Sequence, residues 1–330
     1  MQKMKNKKII LAGGTGFIGQ SLCNWWGNNN EVVVLTRHRQ GQKTNAFGED
    51  ILAPAIKARI RFVHWDGTGQ GEWSKEFDNA HLVVNLAGKT VNCRYTDANK
   101  NEILESRVAS TKAIGEAIRN ATHPPKLWIN AASATIYPHA TDTPRDETFT
   151  GFADDFSVQV CKRWEQVFYQ QRTPFTRKVV LRQAITLGPG GVMIPYFNLL
   201  KYGLGGRQGS GKQMYSWIHI TDSCRMMDWL YEHEELEGTF NCCSPGVVAN
   251  RDFMSKLRKA AGNRFGLPAF SWMLKLGAVF IGTETELVLK SRWVLPTRIL
   301  GTGFRFEFPD IDSAFADIIS HTPRRRYHLF

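Results

Sequence analysis

Three glycines, Gly13, Gly16 and Gly19, stand at GxxGxxG spacing in the stretch ILAGGTGFIGQ, between an apolar run and an amphipathic one. At this spacing one glycine permits a tight turn, the next lets backbone N–H groups approach a pyrophosphate, and the third lets helix and strand pack closely. A helix opening on that turn adds the partial positive charge of its N-terminus. Thr15, Phe17 and Ile18 complete the turn, so the segment reads as a dinucleotide cradle. A second group bears on which dinucleotide. Readers of NAD carry an Asp or Glu at the end of the second strand for the ribose hydroxyls. Here VVVLTRHRQ offers Thr36, Arg37 and Arg39 and no carboxylate. Guanidinium forks match phosphate geometry, which predicts NADP(H). Asp66, closing RFVHWD, is placed to accept from an adenine amino group. Asn85, Leu86, Ala87 and Gly88 put small residues where a cofactor would pass close to backbone. Turn chemistry alone would also explain these last two.

The elements that must position these residues alternate regularly over the first 190 residues. Apolar runs KIILAG, EVVVLTR, RIRFVHWD, HLVVNLAG, KLWINAAS and KVVLRQAITLG read as strands. Phe17–Trp26, Asp97–Ala121 and Asp155–Gln171 read as helices. Near-continuous β-rich runs alternating with helices indicate an α/β fold, a Rossmann-like doubly wound parallel sheet. Residues 5–188 are expected to form that NADP-binding domain, with the strand MYSWIHI, a helix from Asp222 to His233 and the strand GTFNCCS, around 213–244, returning to it. Residues 189–212 and 245–330 are expected to form a smaller, mainly helical domain over the cleft. Its helices would be NRDFMSKLRKAAG, SWMLKLGAVFIG, ETELVLKSRW and IDSAFADIIS.

GGTGFIG, NLAG and SATIY (Ser133–Tyr137) together resemble the extended short-chain dehydrogenase/reductase superfamily, which includes sugar-nucleotide epimerases and dehydratases. SRVAST (106–111), VCKRWE (160–165), GGRQGSGKQMYSWIHITD (205–222), NRDFMSKL (250–257) and VLPTRILGTGFRFEFPDI (294–311) resemble a closer branch. That branch is the atypical epimerase-family proteins of unassigned substrate, which carry their own C-terminal domain. The resemblance covers nearly the whole chain. It implies a Ser or Thr, a Tyr that gives or takes the substrate proton, and a Lys four residues after it that lowers the Tyr pKa. Ser133 fits the first place. Aligned on Glu165, the Tyr and Lys places fall on Ser157 and Cys161, and no YxxxK occurs at any of the 8 tyrosines. The departure agrees with the closer branch, whose helix reads like VCKRWE. Lys162 is one helical step from the lysine place, Tyr137 is more often structural at its position, and Cys161 is expected to be a buried, inert thiol. Trp217 and His219 would sit beside the substrate cleft or pack against the C-terminal helices.

Other classes are disfavoured. The net charge of +12 comes from scattered basic residues without aromatic interleaving, so no nucleic-acid partner is expected. The 6 cysteines form no CxxC pair, and a lysine-rich start leads into a strand, which indicates a reduced cytoplasm. FGLPAFSWMLKLGAVFIG contains Pro268 and Lys275 and reads as a packed helix, so no membrane span is expected. GRQGSGKQ imitates a P-loop but lacks the Ser or Thr, the preceding strand and the following helix. No HExxH, zinc spacing or GxSxG occurs, so no metal is expected. The expected function is an NADP(H)-binding oxidoreductase or epimerase-like enzyme on an unidentified small molecule, with Ser133 polarising a substrate oxygen. The alternative is a non-catalytic NADP(H)-binding or redox-sensing protein.

Overall fold

The computed structural model describes residues 3–37, 51–272, 274, 284 and 289–329. Its strands are β1 (Lys8–Ala12), β2 (Glu31–Thr36), β3 (Arg61–His64), β4 (Leu82–Asn85), β5 (Leu127–Ser133), β6 (Arg177–Gln183), β7 (Ile185–Leu187), β8 (Met214–Tyr215), β9 (Trp217–His219), β10 (Gly238–Cys242) and β11 (Val248–Ala249). Seven of them form one sheet in the order β10-β6-β5-β4-β1-β2-β3. Every pair in it is parallel. The expected Rossmann-like doubly wound sheet is the observed one. All carboxyl ends therefore open on one edge.

Successive strand residues face opposite layers. Ile9, Leu11, Val32, Val34, Leu82 and Val84 pack with Leu22 and Trp26 of α1 (Phe17–Trp26). The short α2 (Pro54–Lys57) adds Ile56 to the same side. Ile10, Val33, Val83 and Trp128 meet Ile114, Ala117 and Ile118 of α3 (Asp97–Asn120) and Phe168 of α4 (Phe156–Gln170). Both long helices start on a side-chain cap: Thr96 accepts from Asn99 N and Asp155 from Val158 N. By contrast α1 opens on Gly16, with no side-chain cap and no acidic residue in its first turn.

Two runs expected as single strands divide. KVVLRQAITLG breaks at Ala184, because its ladder partner changes: Ala184 N bonds Cys242 O, whereas Ile185 N bonds Ser216 O. MYSWIHI breaks at Ser216, so that β8 pairs with β11 and β9 with β7. The pieces feed a second core, in which Leu187, Tyr215 and Trp217 join α5 (Met193–Lys201), α7 (Asn250–Ala261) and α9 (Ile311–Ser320) through Phe197, Phe253 and Phe315. The C-terminal region is helical, but its helices serve different cores: α8 (Thr297–Gly301) packs Ile299 with the sheet core that holds Phe240, whereas α9 belongs to the second core. SWMLKLGAVFIG lies largely outside the described residues. Of ETELVLKSRW, expected as a helix, 285–288 lie outside them, and its end is extended instead, with Arg292 bridging Tyr215 and its N–H bonding Met214 O at 2.9 Å.

Helix α6 (Ile220–Glu232) carries two buried carboxylates that tie distant segments. Asp222 accepts the backbone N–H groups of Glu307 and Phe308, each at 2.8 Å, and pairs with Arg225. Asp228 accepts the indole N–H groups of Trp25 and Trp26, each at 2.7 Å. Burial pushes the Asp228 pKa up to about 6. Asp228→Ala strands two indole donors and should cost about 2–4 kcal/mol of stability. An acid whose folded pKa exceeds its unfolded one contributes most below the unfolded value, and that contribution is lost as pH rises through the folded value. Urea melts of wild type and variant should therefore show a larger gap at pH 5 than at pH 7.5.

Candidate functional site

A groove crosses the carboxyl edge of the sheet and widens into two cavities of about 730 and 470 Å³. Both are walled by Gly13, Gly16, Phe17 and Leu86, so the glycine turn is their common floor. Gly13 has φ +77°, and a Cβ there would stand 2.8 Å from the Leu86 carbonyl carbon. A Cβ on Gly19 would stand 2.4 Å from Gly14 Cα. The turn thus lies against the β4 end, while helix α1 lies against the turn.

The larger cavity collects Thr15, Thr36, Arg37, Asp66, Ala87 and Gly88. Arg37 is exposed at its rim, whereas Arg39 lies outside the described residues. Thr36 is buried, and its carbonyl accepts from Trp65 N at 2.9 Å. Asp66 is exposed, and one of its oxygens accepts from Thr68 N at 2.8 Å in a local turn. Asn85 is fully buried and lines neither cavity. It donates to Asn130 Oδ1 at 2.7 Å and accepts from Ala87 N at 3.1 Å. Its role is to hold the loop of Leu86, Ala87 and Gly88 from below.

The smaller cavity brings together Ile18, Gly19, Ser133, Ser157 and Cys161. Ser133 ends β5, and its hydroxyl donates to Thr135 Oγ1 at 2.9 Å. Ser157 and Cys161, one turn apart on α4, face the same space. Burial pushes the Cys161 thiol up to about 12, so it stays neutral at physiological pH. It cannot do the work of a lysine cation. Lys162 bonds Asp154 at 3.3 Å and lines neither cavity.

Tyr137 belongs to the packing. Its hydroxyl donates to Asn241 Oδ1 at 2.9 Å and accepts from Arg182 Nη1 at 2.8 Å, and burial pushes its pKa to about 12. Arg182 forks onto Glu165 with two bonds of 2.8 Å. Trp217 donates to Gly246 O at 2.7 Å, while His219 caps α6 and packs at a tilt of 39° against Phe308 with centroids 4.0 Å apart. Both are buried away from the two cavities. The GRQGSGKQ stretch is a turn region with left-handed Gly209 and Gly211, not a helix-opening loop.

Sequence reasoning passed over Arg107 of α3, which lines the smaller cavity. Its guanidinium lies 5.0 Å from the Trp164 ring, and Nη1 donates to the carbonyls of Lys89 (3.0 Å) and Ile103 (2.8 Å). Burial lowers its pKa. The signal was present: Ile103, Arg107, Thr111 and Ile114 recur at helical spacing, which puts the arginine on the buried face. Among the described residues no His/Cys/Asp/Glu cluster could hold a metal ion, and no helix is long and apolar enough to cross a membrane.

Comparisons with known proteins agree with this geometry. Residues 269–318 match a domain of unknown function, DUF1731. An epimerase family protein of Staphylococcus aureus strain MRSA252 is 30% identical over 318 residues, covering 95% of this chain and 99% of its own. The crystal structure of human epimerase family protein SDR39U1 (isoform 2) with NADPH superposes with a TM-score of 0.79 at 28% identity, covering 95% of this chain and 99% of that one. A UDP-N-acetylglucosamine 4-epimerase from Methanobrevibacter ruminantium, in complex with UDP-N-acetylmuramic acid, shares the fold (TM-score 0.75, 14% identity, 96% and 98% coverage). Over residues 9–243 the sequence matches the NAD dependent epimerase/dehydratase family, and with the glycine turn, parallel sheet and groove in place, the chain belongs to that family.

Proposed function

We propose that the protein is an NADP(H)-binding enzyme, an oxidoreductase or epimerase-like catalyst acting on a small molecule. The observation that carries this reading is the glycine turn lying as the shared floor of two cavities, one holding Arg37 and the other Ser133. The residues present fit a dinucleotide. Gly13 sits where a side chain would collide with the Leu86 carbonyl, and α1 has no side-chain cap on its N–H groups. The human relative crystallised with NADPH supports the choice of nucleotide. When bound, the nicotinamide supplies or accepts the hydride.

The chain's own residues do the rest. Gly13 and Gly16 let the pyrophosphate approach the uncapped N–H groups of the first turn of α1, and Arg37 meets the adenosine 2′-phosphate. Ser133 turns its hydroxyl from Thr135 Oγ1 to donate to a substrate oxygen, and Val91, Ile103, Phe156 and Val160 give the smaller cavity an apolar wall. A protein that only senses nucleotide has no use for this second chamber, which favours the enzyme. Arg37→Ala should weaken NADPH binding about tenfold and leave NADH within twofold, measured by fluorescence titration. Equal wild-type affinities for the two nucleotides would overturn the NADP(H) assignment. Incubating the NADPH-loaded protein with a carbonyl-compound library should consume reduced nicotinamide. Complete silence with binding intact would sink the catalytic reading.

A further inference from the structure

We infer that the smaller cavity takes an anionic substrate, an organic carboxylate or phosphate ester with an apolar body, whose acidic group is held by Arg107. The inference rests on the reading of the adjoining cavity as the place of the nucleotide.

Arg107 is the reason. A guanidinium offers five N–H donors, and two carbonyls occupy Nη1 here. The Nε and Nη2 donors, the edge that grips a carboxylate or phosphate in two-point fashion, have no protein acceptor among the described residues. Among those residues no carboxylate pairs with the half-buried Arg107, whereas Arg182, a buried guanidinium near the same cavity, is matched by Glu165. Taking an unpaired cation out of water is costly, and the cost is recovered when an anion arrives.

The surroundings point the same way. Among the described residues that line the smaller cavity there is no Asp, Glu or Lys, so Arg107 is its sole fixed charge. Arg292, which donates to the carbonyls of Ser291 and Thr135, adds positive potential at Cys161. Arg107 lines this cavity and not the larger one, where Arg37 is exposed and Lys89 is engaged by Glu102 and Asn99. The facing wall is apolar, with Tyr95 and Phe156 in edge contact at 5.2 Å beside Ile103 and Val160. An acid with an aliphatic or aromatic body matches both halves, and its oxygen function falls to Ser133.

Calorimetric titration of phenylpyruvate, its methyl ester and phenyl phosphate into NADP⁺-loaded protein tests the assignment. At least one of the two acids should bind ten or more times more tightly than the ester. Arg107→Met should abolish that preference, and Arg107→Lys, which keeps the charge, should retain part of it. If Arg107→Met does not fold, the wild-type and Arg107→Lys ratios decide. Equal affinities for acids and ester, or no binding by any of the three, overturns the proposal. So does an Arg107→Met protein that keeps the preference but loses NADPH affinity, since the guanidinium then serves the nucleotide. Failure of the wild type to bind NADPH would sink the underlying nucleotide reading instead, and the same titrations on nucleotide-free protein would still judge Arg107.

Discussion

Glu165→Ala should lower the unfolding free energy by about 3–5 kcal/mol, far more than any surface ion pair. Glu165 and Arg182 retain only 10% and 8% side-chain exposure, and their two bonds are both 2.8 Å. Alanine would leave a buried guanidinium with no carboxylate, only the Tyr137 hydroxyl and the faces of the Tyr137 and Phe152 rings. The damage would spread because the network has one member on each of four segments. Glu165 is on α4, Arg182 on β6, Tyr137 in the turn after β5, and Asn241 on β10. Asn241 also draws in Glu147 and Leu295 through its N–H and side-chain amide. Breaking one partner is the costly event, since replacing both by apolar residues of similar volume is often neutral or stabilising. A Glu165→Leu, Arg182→Met double variant should therefore be more stable than Glu165→Ala. By comparison Arg61→Ala, which removes the exposed pairing to Glu31 and Glu76, should cost at most about 1 kcal/mol. Urea denaturation of the variants measures the contrast, and a Glu165→Ala protein as stable as Arg61→Ala would refute it.

Gly13→Ala should abolish nucleotide binding, with affinity for NADPH falling by about 100-fold or more. The added methyl meets backbone, not a flexible side chain: Leu86 C and O at 2.8 Å and Ala87 N at 2.9 Å. It also holds an alanine at φ +77°, which costs about 1–2 kcal/mol. Overpacking adds about 1–3 kcal/mol. The only relief is to push the Leu86–Ala87 loop out of place, and that loop walls the larger cavity. Gly16→Ala provides the control. Its Cβ would meet nothing nearer than Gly13 O at 3.7 Å, so the fold should survive while the methyl blocks the phosphate approach. Thermal melts and NADPH titrations should show Gly13→Ala losing both stability and binding, and Gly16→Ala losing binding alone. Wild-type NADPH affinity in Gly13→Ala would remove the cradle from the site.

The sheet and its crossover helices were legible because burial on both faces makes a strand a continuous apolar run, and α1 matches its expected span of Phe17–Trp26. What hydropathy does not encode is the identity of a strand's neighbour. KVVLRQAITLG and MYSWIHI do carry polar residues at the break, Arg182 and Gln183 before Ala184 and Ser216 itself, but polarity does not name the new partner; the hydrogen bonds of Ala184 and Ser216 do. The site shows the same division. Glycine spacing and the arginine at the β2 end are local patterns, and they locate the turn and Arg37 at the groove. Asn85 looked like a cofactor contact because NLAG reads as one motif. Its alternating position instead points its side chain inward to Asn130. Arg107 went unnoticed because a lone charge on a long helix ordinarily reads as solvated surface. Only its register with Ile103 and Thr111 betrays it.

Asp222 has a consequence for the order of synthesis. Every strand of the main sheet has been made by Cys242, yet the buried Asp222 carboxylate still lacks the N–H groups of Glu307 and Phe308. An emerging chain would hold this carboxyl group short of two of its donors through about 65 residues of translation, with Arg225 as its interim partner. Helix α6 and the sheet face it covers would thus lock only after most of the chain has been translated.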